Sequence, residues 1–157
     1  MKHFYENIVF EFSLDPECME MLRELKGSPV LKGAKNVYFI HIYNQKMQEF
    51  LPDSAMANDF SKIRIFVESK MNEIKNFLLA DLPTNDSGHI ECFFDPNMKI
   101  KACEFLAEVK ADLVVVAGSG HHRAEGVFSE SYSEYLLRHA PCDVYVLKSK
   151  LEKAACP

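Results

Sequence analysis

The chain predicts an α/β fold: an open, mostly parallel five-stranded sheet, doubly wound, with helices on both faces. Three observations carry that expectation. Runs rich in β-branched and aromatic residues alternate with stretches whose apolar residues recur every three or four positions. Leu113 to Ala117 is a continuous apolar run, as in a parallel strand covered on both faces. A glycine loop, Gly118-Ser119-Gly120, follows it at once, and three of the six glycines fall between 118 and 126. At 157 residues, with 48% apolar and 26% charged residues, the chain suits one domain, read as residues 1–149, with a tail at 150–157.

Each element follows in order. Asn7 to Phe12 reads as the first strand. Asp15 and Pro16 then open a helix in which Cys18, Met21, Leu22 and Leu25 repeat at helical spacing until Gly27. Asn36 to Tyr43 is the second strand, and the polar stretch from Asn44 to Asp59 is a surface excursion. Phe60, Ile63, Val67, Met71, Ile74 and Leu78 form one stripe on a long helix. Residues 81–88 are a loop into a third strand at His89 to Phe94, where apolar and polar residues alternate. Asp95 and Pro96 repeat the earlier capping signal, with Ile100, Cys103 and Leu106 expected to face inward. The strand at 113–117, a helix from about Ser131 to His139 and a last strand at Val144 to Leu147 complete the alternation.

Charge and cysteine usage narrow the function. A formal net charge of -5 with no basic stretch argues against nucleic-acid or anionic-membrane binding. The polar start MKHFYENIVF and the lack of a long apolar run predict a cytoplasmic chain. Cys18, Cys92, Cys103, Cys142 and Cys156 are odd in number and widely spaced, so they read as reduced thiols, most of them core residues.

In open α/β sheets ligands sit beyond the carboxyl ends of strands, where the winding direction reverses. Here that is the end of the strand at 113–117 against the end of the first strand, with Phe12, Ser13 and Leu14 facing Gly118, Ser119 and Gly120. The helix beginning near Ser131 offers unpaired N–H groups and a positive dipole end to a small anion. Ser131 and Glu134 have capping-box spacing, so that helix can also be capped from within. His121, His122 and Arg123 are donors on the loop, and their spacing to Glu125 and Glu130 fits no familiar zinc pattern. His41 reads as a packed strand residue, and Arg138 and His139 as complements to the negative end of a helix. There is no G-x-S-x-G, no G-x-x-x-x-G-K-[ST] and no G-x-G-x-x-G after the first strand, so no catalytic constellation and no metal site is expected.

The stretch ADLVVVAGSG, and after an insert SEYLLRHAPCDVYVLK, resembles the C-terminal half of universal stress protein domains. The resemblance extends along the chain by pattern, through the first strand, His41-Ile42 and Asp95-Pro96. It implies a Rossmann-like sheet of the adenine nucleotide alpha hydrolase-like type, and a crevice for ATP or another adenine nucleotide with Mg. Carried over residue by residue, the nucleotide-binding positions are Ser13, Ile42, Ala117, Gly118, Ser119, Gly120, Ser131 and Tyr132. Two positions depart from the family: Ser13 stands where nucleotide-binding members have an aspartate, with Asp15 two residues on, and Glu130 stands where they have a third glycine. An acidic side chain beside the phosphate position opposes a triphosphate. The reading is therefore a stress-response regulatory module with weak or lost ATP binding. The alternatives are an ATP-binding switch built on the 117–131 loop and a nucleotide-dependent hydrolase or transferase. The resemblance also implies a homodimer through the last strand, at Asp143, Val144, Tyr145, Val146 and Leu147.

Overall fold

The computed structural model describes residues 5–11, 13, 15–43, 59–83, 88–118 and 131–148. The elements are β1 (Asn7–Glu11), α1 (Pro16–Arg23), a 3-10 turn (Pro29–Leu31), β2 (Asn36–Tyr43), α2 (Phe60–Leu79), β3 (Gly88–Phe94), α3 (Met98–Glu108), β4 (Leu113–Gly118), α4 (Tyr132–His139) and β5 (Asp143–Lys148). The strands form one sheet in the order β3-β2-β1-β4-β5, and every neighbouring pair is parallel.

Two apolar layers enclose the sheet because alternate strand residues point to opposite faces. Ile8, Phe10, Val37, Phe39, Leu113 and Val115 pack under α1 and α2, against Leu22, Ile63, Val67, Met71, Ile74 and Leu78. Val9, Ile40, Ile42, Val114 and Val116 pack under α3 and α4, against Ala102, Phe105, Leu106 and Leu136. The central strands β1 and β4 are thus apolar on both faces, which is why their sequences read as unbroken hydrophobic runs.

Polar contacts at the amino ends of these two strands fix their register. Asp112 Oδ2 accepts from the backbone N–H of Glu6 at 3.0 Å and of Asn7 at 2.8 Å, and Asn7 Nδ2 donates to the Lys110 carbonyl at 3.1 Å. Just upstream, α3 ends in a double-bonded turn in which Ala111 N–H reaches Leu106 O and Lys110 N–H reaches Ala107 O. That turn requires a left-handed residue, and Lys110 supplies it at φ 51°. Close approach explains Gly88: a Cβ there would lie 2.9 Å from the side chains of Leu79 and Lys75 on α2.

Several expectations shift. The helix expected to open at Asp95-Pro96 starts two residues later. Asp95 Oδ1 accepts from Asn97 N–H at 2.8 Å, which makes a turn around Pro96, and Asn97 caps α3 by accepting from Ile100 N–H. The inward stripe of α3 is Ala102, Phe105 and Leu106, with Cys103 partly buried against the same layer as expected, while Ile100 is 48% exposed. Its neighbours Met98 and Val109 continue that stripe, and Ile100 falls outside it. Phe60 is 53% exposed at the first turn of α2, where its ring meets those of Tyr43 and Phe94 at the rim of the layer. α1 stops at Arg23, and Leu25 is buried from the turns that follow, which end at Gly27 with φ 75°. Strands β3, β4 and β5 reach one residue further at one or both ends than expected. Phe12, Leu14, residues 44–58 and the tail lie outside the described residues. Among the described residues no helix is long and apolar enough to cross a membrane.

Candidate functional site

β1 pairs with β2 on one side and β4 on the other, so the chain reverses its winding between β1 and β4. The register Phe10↔Val115 and Glu11↔Val116 brings the carboxyl ends of both strands level. α1 leaves from that lip, and Cys18 Sγ donates to the Ala117 carbonyl at 3.7 Å. The start of α1 therefore lies against the end of β4. This is the crevice expected of the topology.

Ser13 and Asp15 form one side of it. Ser13 Oγ accepts from Asp15 N–H at 3.3 Å, so the serine shapes the turn. Asp15 is 4% exposed; its Oδ1 caps α1 by accepting from Glu17 N–H at 2.9 Å, while Oδ2 is buried with no hydrogen-bond partner among the described residues. Ala117 and Gly118 form the other side and pair with Leu147 and Lys148 of β5. Ile42 is wholly buried in the α3-side layer, so it serves the wall as packing and presents no open surface. Ser119, Gly120, the 121–126 loop residues and Glu130 lie outside the described residues.

At α4 the capping box forms. Ser131 Oγ accepts from Glu134 N–H at 3.2 Å, and Ser131 N–H donates to Glu134 Oε2 at 3.1 Å. Two donors that would otherwise face a ligand are satisfied within the helix. Tyr132 is the first residue of α4, and its hydroxyl turns away from solvent.

That hydroxyl meets Glu11, which no sequence pattern marks as a site residue. Glu11 ends β1, and its Oε2 is shut off from solvent although the residue as a whole keeps partial exposure. Burial pushes its carboxyl up to about 8, and the nearby Tyr132 hydroxyl pulls it back only in part. The two groups face each other without closing a hydrogen bond: among the described residues neither Glu11 Oε2 nor Tyr132 Oη has a partner in bonding geometry. Burial also raises Tyr132 well above the ordinary tyrosine value, and the Glu11 charge adds to the effect. The available signal was a single acidic residue inside the apolar run NIVFEF.

Other candidates are structural. His41 is fully buried in β2, and His139 lies 4.3 Å from the Tyr135 ring in the last turn of α4. Cys18 and Cys92 are buried thiols outside any disulfide; Cys92 and Cys142 are raised to about 11, chiefly by burial, which keeps them protonated and unreactive. No group of three metal-binding side chains occurs among the described residues. A groove of about 410 Å³ lined by Tyr5, Val30, Leu113, Asp143, Val144 and Tyr145 opens at the opposite end, where the strands begin. It borders β5 and is remote from the switch point.

Comparison with known proteins agrees with this architecture. Residues 84–148 match the sequence profile of the universal stress protein family. Universal stress protein UspA from Lactobacillus plantarum is 16% identical, with a TM-score of 0.64 over 93% of this chain and 99% of that one. A universal stress protein solved in complex with cAMP is 14% identical, with a TM-score of 0.62 over 94% of this chain and 100% of that one. The universal stress protein from Archaeoglobus fulgidus in complex with dAMP is 16% identical, with a TM-score of 0.58 over 93% and 100%. No curated protein matches the chain by sequence.

Proposed function

We propose, from the match of residues 84–148 to the universal stress protein family and the fold that the chain shares with such proteins, a regulatory binding module that takes a small adenine nucleotide in the β1–β4 crevice. A monophosphate is the preferred size of ligand, and ATP binds weakly. The observation that carries this reading is the closed capping box at α4. Its Ser131 and Glu134 occupy donors that a phosphate chain would otherwise claim, which leaves room for less anionic charge. The sequence supports the same preference, since Glu130 lies directly before that cap and repels a long phosphate chain. The similar folds solved with cAMP and dAMP hold ligands of the proposed size.

The module is read as a binding protein and not as an enzyme. Ser13 and Ser131 spend their hydroxyl oxygens on backbone N–H groups of turns and caps, a structural use. It is further read as a homodimer through β5, the edge strand beside β4, at Asp143 to Leu147. Tyr145 is 42% exposed on that edge, and an uncovered strand edge is a template for pairing with a second copy.

Thermal unfolding with added nucleotide tests the ligand. AMP at about a hundred times its Kd is expected to stabilise the fold by about 2.7 kcal/mol, and the same concentration of Mg-ATP by less. Glu130→Gly is expected to narrow that gap. Equal or greater stabilisation by ATP in the unaltered chain would contradict the proposed preference.

A further inference from the structure

We propose that Glu11 and Tyr132 form a two-point subsite on the floor of the β1–β4 crevice that takes an uncharged donor–acceptor edge of a nucleoside. The inference rests on the nucleotide reading above and adds what part of the ligand is read and how.

Three observations support it. First, Glu11 Oε2 and Tyr132 Oη are both buried and, among the described residues, neither has a partner in hydrogen-bonding geometry, although they come from different elements and face each other. Buried polar atoms left unpaired cost free energy, so two of them together at a ligand-binding end of the sheet define a place where a ligand's polar groups are stabilising. Second, the groups packed around Glu11 leave it uncharged at neutral pH. Its register partners are Ile40 on β2 and Val116 on β4; α4 contributes the Tyr132 phenol and α3 the Cys103 thiol. His41 falls on the opposite face of β2, among the alternating residues packed toward α2. Burial dominates the proton affinity of Glu11, which is centred at about 8. Third, the chemistry is matched: a protonated carboxyl donates through O–H and accepts through C=O, and a phenol does both with one oxygen. Such a pair suits neighbouring ribose hydroxyls or the edge of a purine, and disfavours phosphate. It supplies a polar anchor two residues before Ser13.

Adenosine is the right probe because it stays uncharged from pH 5 to 9, so any change in its binding belongs to the protein. Titration calorimetry is expected to show affinity falling about tenfold from pH 7 to pH 9, as the protonated fraction of Glu11 drops. Glu11→Gln keeps a neutral donor and acceptor that does not titrate, and is expected to lose the pH dependence. Glu11→Leu is expected to lose at least tenfold at pH 7, and Tyr132→Phe severalfold. Comparing adenosine with 2′,3′-dideoxyadenosine and with purine riboside identifies the edge that is read: the discriminated analogue is the one whose penalty disappears in Glu11→Leu. Flat adenosine binding between pH 7 and 9, or unchanged affinity in Glu11→Leu, overturns the subsite and leaves the crevice reading standing. If neither adenosine nor AMP binds the unaltered chain at pH 7, the crevice reading itself fails and the subsite with it.

Discussion

Glu11 is the residue whose physics reaches furthest. A carboxyl raised from 4.5 to about 8 by burial holds its proton in the folded chain and loses it in the unfolded chain over the intervening range. Folding therefore binds a proton there, and stability falls as pH rises from about 4.5 to about 8, then levels off. The displacement corresponds to on the order of 5 kcal/mol at most. Glu11→Gln removes the linkage, so the variant is expected to match the unaltered chain near pH 4.5 and to exceed it by about 2–5 kcal/mol at pH 8. Urea melts at the two pH values check this, and parallel pH profiles for both proteins would contradict it. Asp15 is the second acid at the lip, yet one of its oxygens is committed to capping α1. Sequence spacing showed that Asp15 opens a helix, because capping is local. The burial of Glu11 was not legible, since it depends on α3 and α4 closing over the end of β1, contacts made by residues about a hundred positions away.

At the level of elements, what was legible is what repeats. The stripe on α2 and the apolar strands at β1 and β4 follow from periodicity, and Ser131-x-x-Glu134 follows from side chains that reach only three residues. What the sequence pattern leaves open are helix ends and faces decided by neighbours. Asp95 makes a turn and leaves the cap to Asn97, and α3 presents Phe105 to Tyr38 and Phe93, which only the folded sheet brings beside it. The short 3-10 turn capped by Ser28 leaves no trace in the pattern because three residues give no period. β5 is the element whose role remains a proposal. Its Tyr145 side chain lies beside the amino-end groove, and Tyr5 fixes the strand's first residue by donating to Asp143 Oδ2 at 3.0 Å. Tyr145→Lys places a charge on the exposed edge without touching the β4 ladder. Two like charges near a two-fold axis repel, so sedimentation is expected to show a shift from dimer to monomer with little change in melting temperature. An unchanged dimer would count against β5 as the interface.

For the whole molecule, the order β3-β2-β1-β4-β5 does most to determine where function can lie. Two strands run outward on one side of β1 and two on the other, so among the described strands the winding reverses at the β1–β4 boundary, which opens a crevice at the carboxyl ends. The alternation of elements predicted that location, and the pairing of Glu11 with Val116 and the contact from Cys18 to Ala117 agree with it. What the alternation could not predict is how much of the site is satisfied from within, through the α4 capping box and the cap at Asp15. The central claim, an adenine nucleotide in that crevice, is tested most directly by following backbone amide signals during titration with AMP. Saturable shifts are expected at Ser13, Ala117, Gly118, Ser131 and Tyr132. Shifts confined to Tyr5, Val30 and Tyr145 at the opposite end of the sheet, or no shifts at millimolar AMP, would contradict the account.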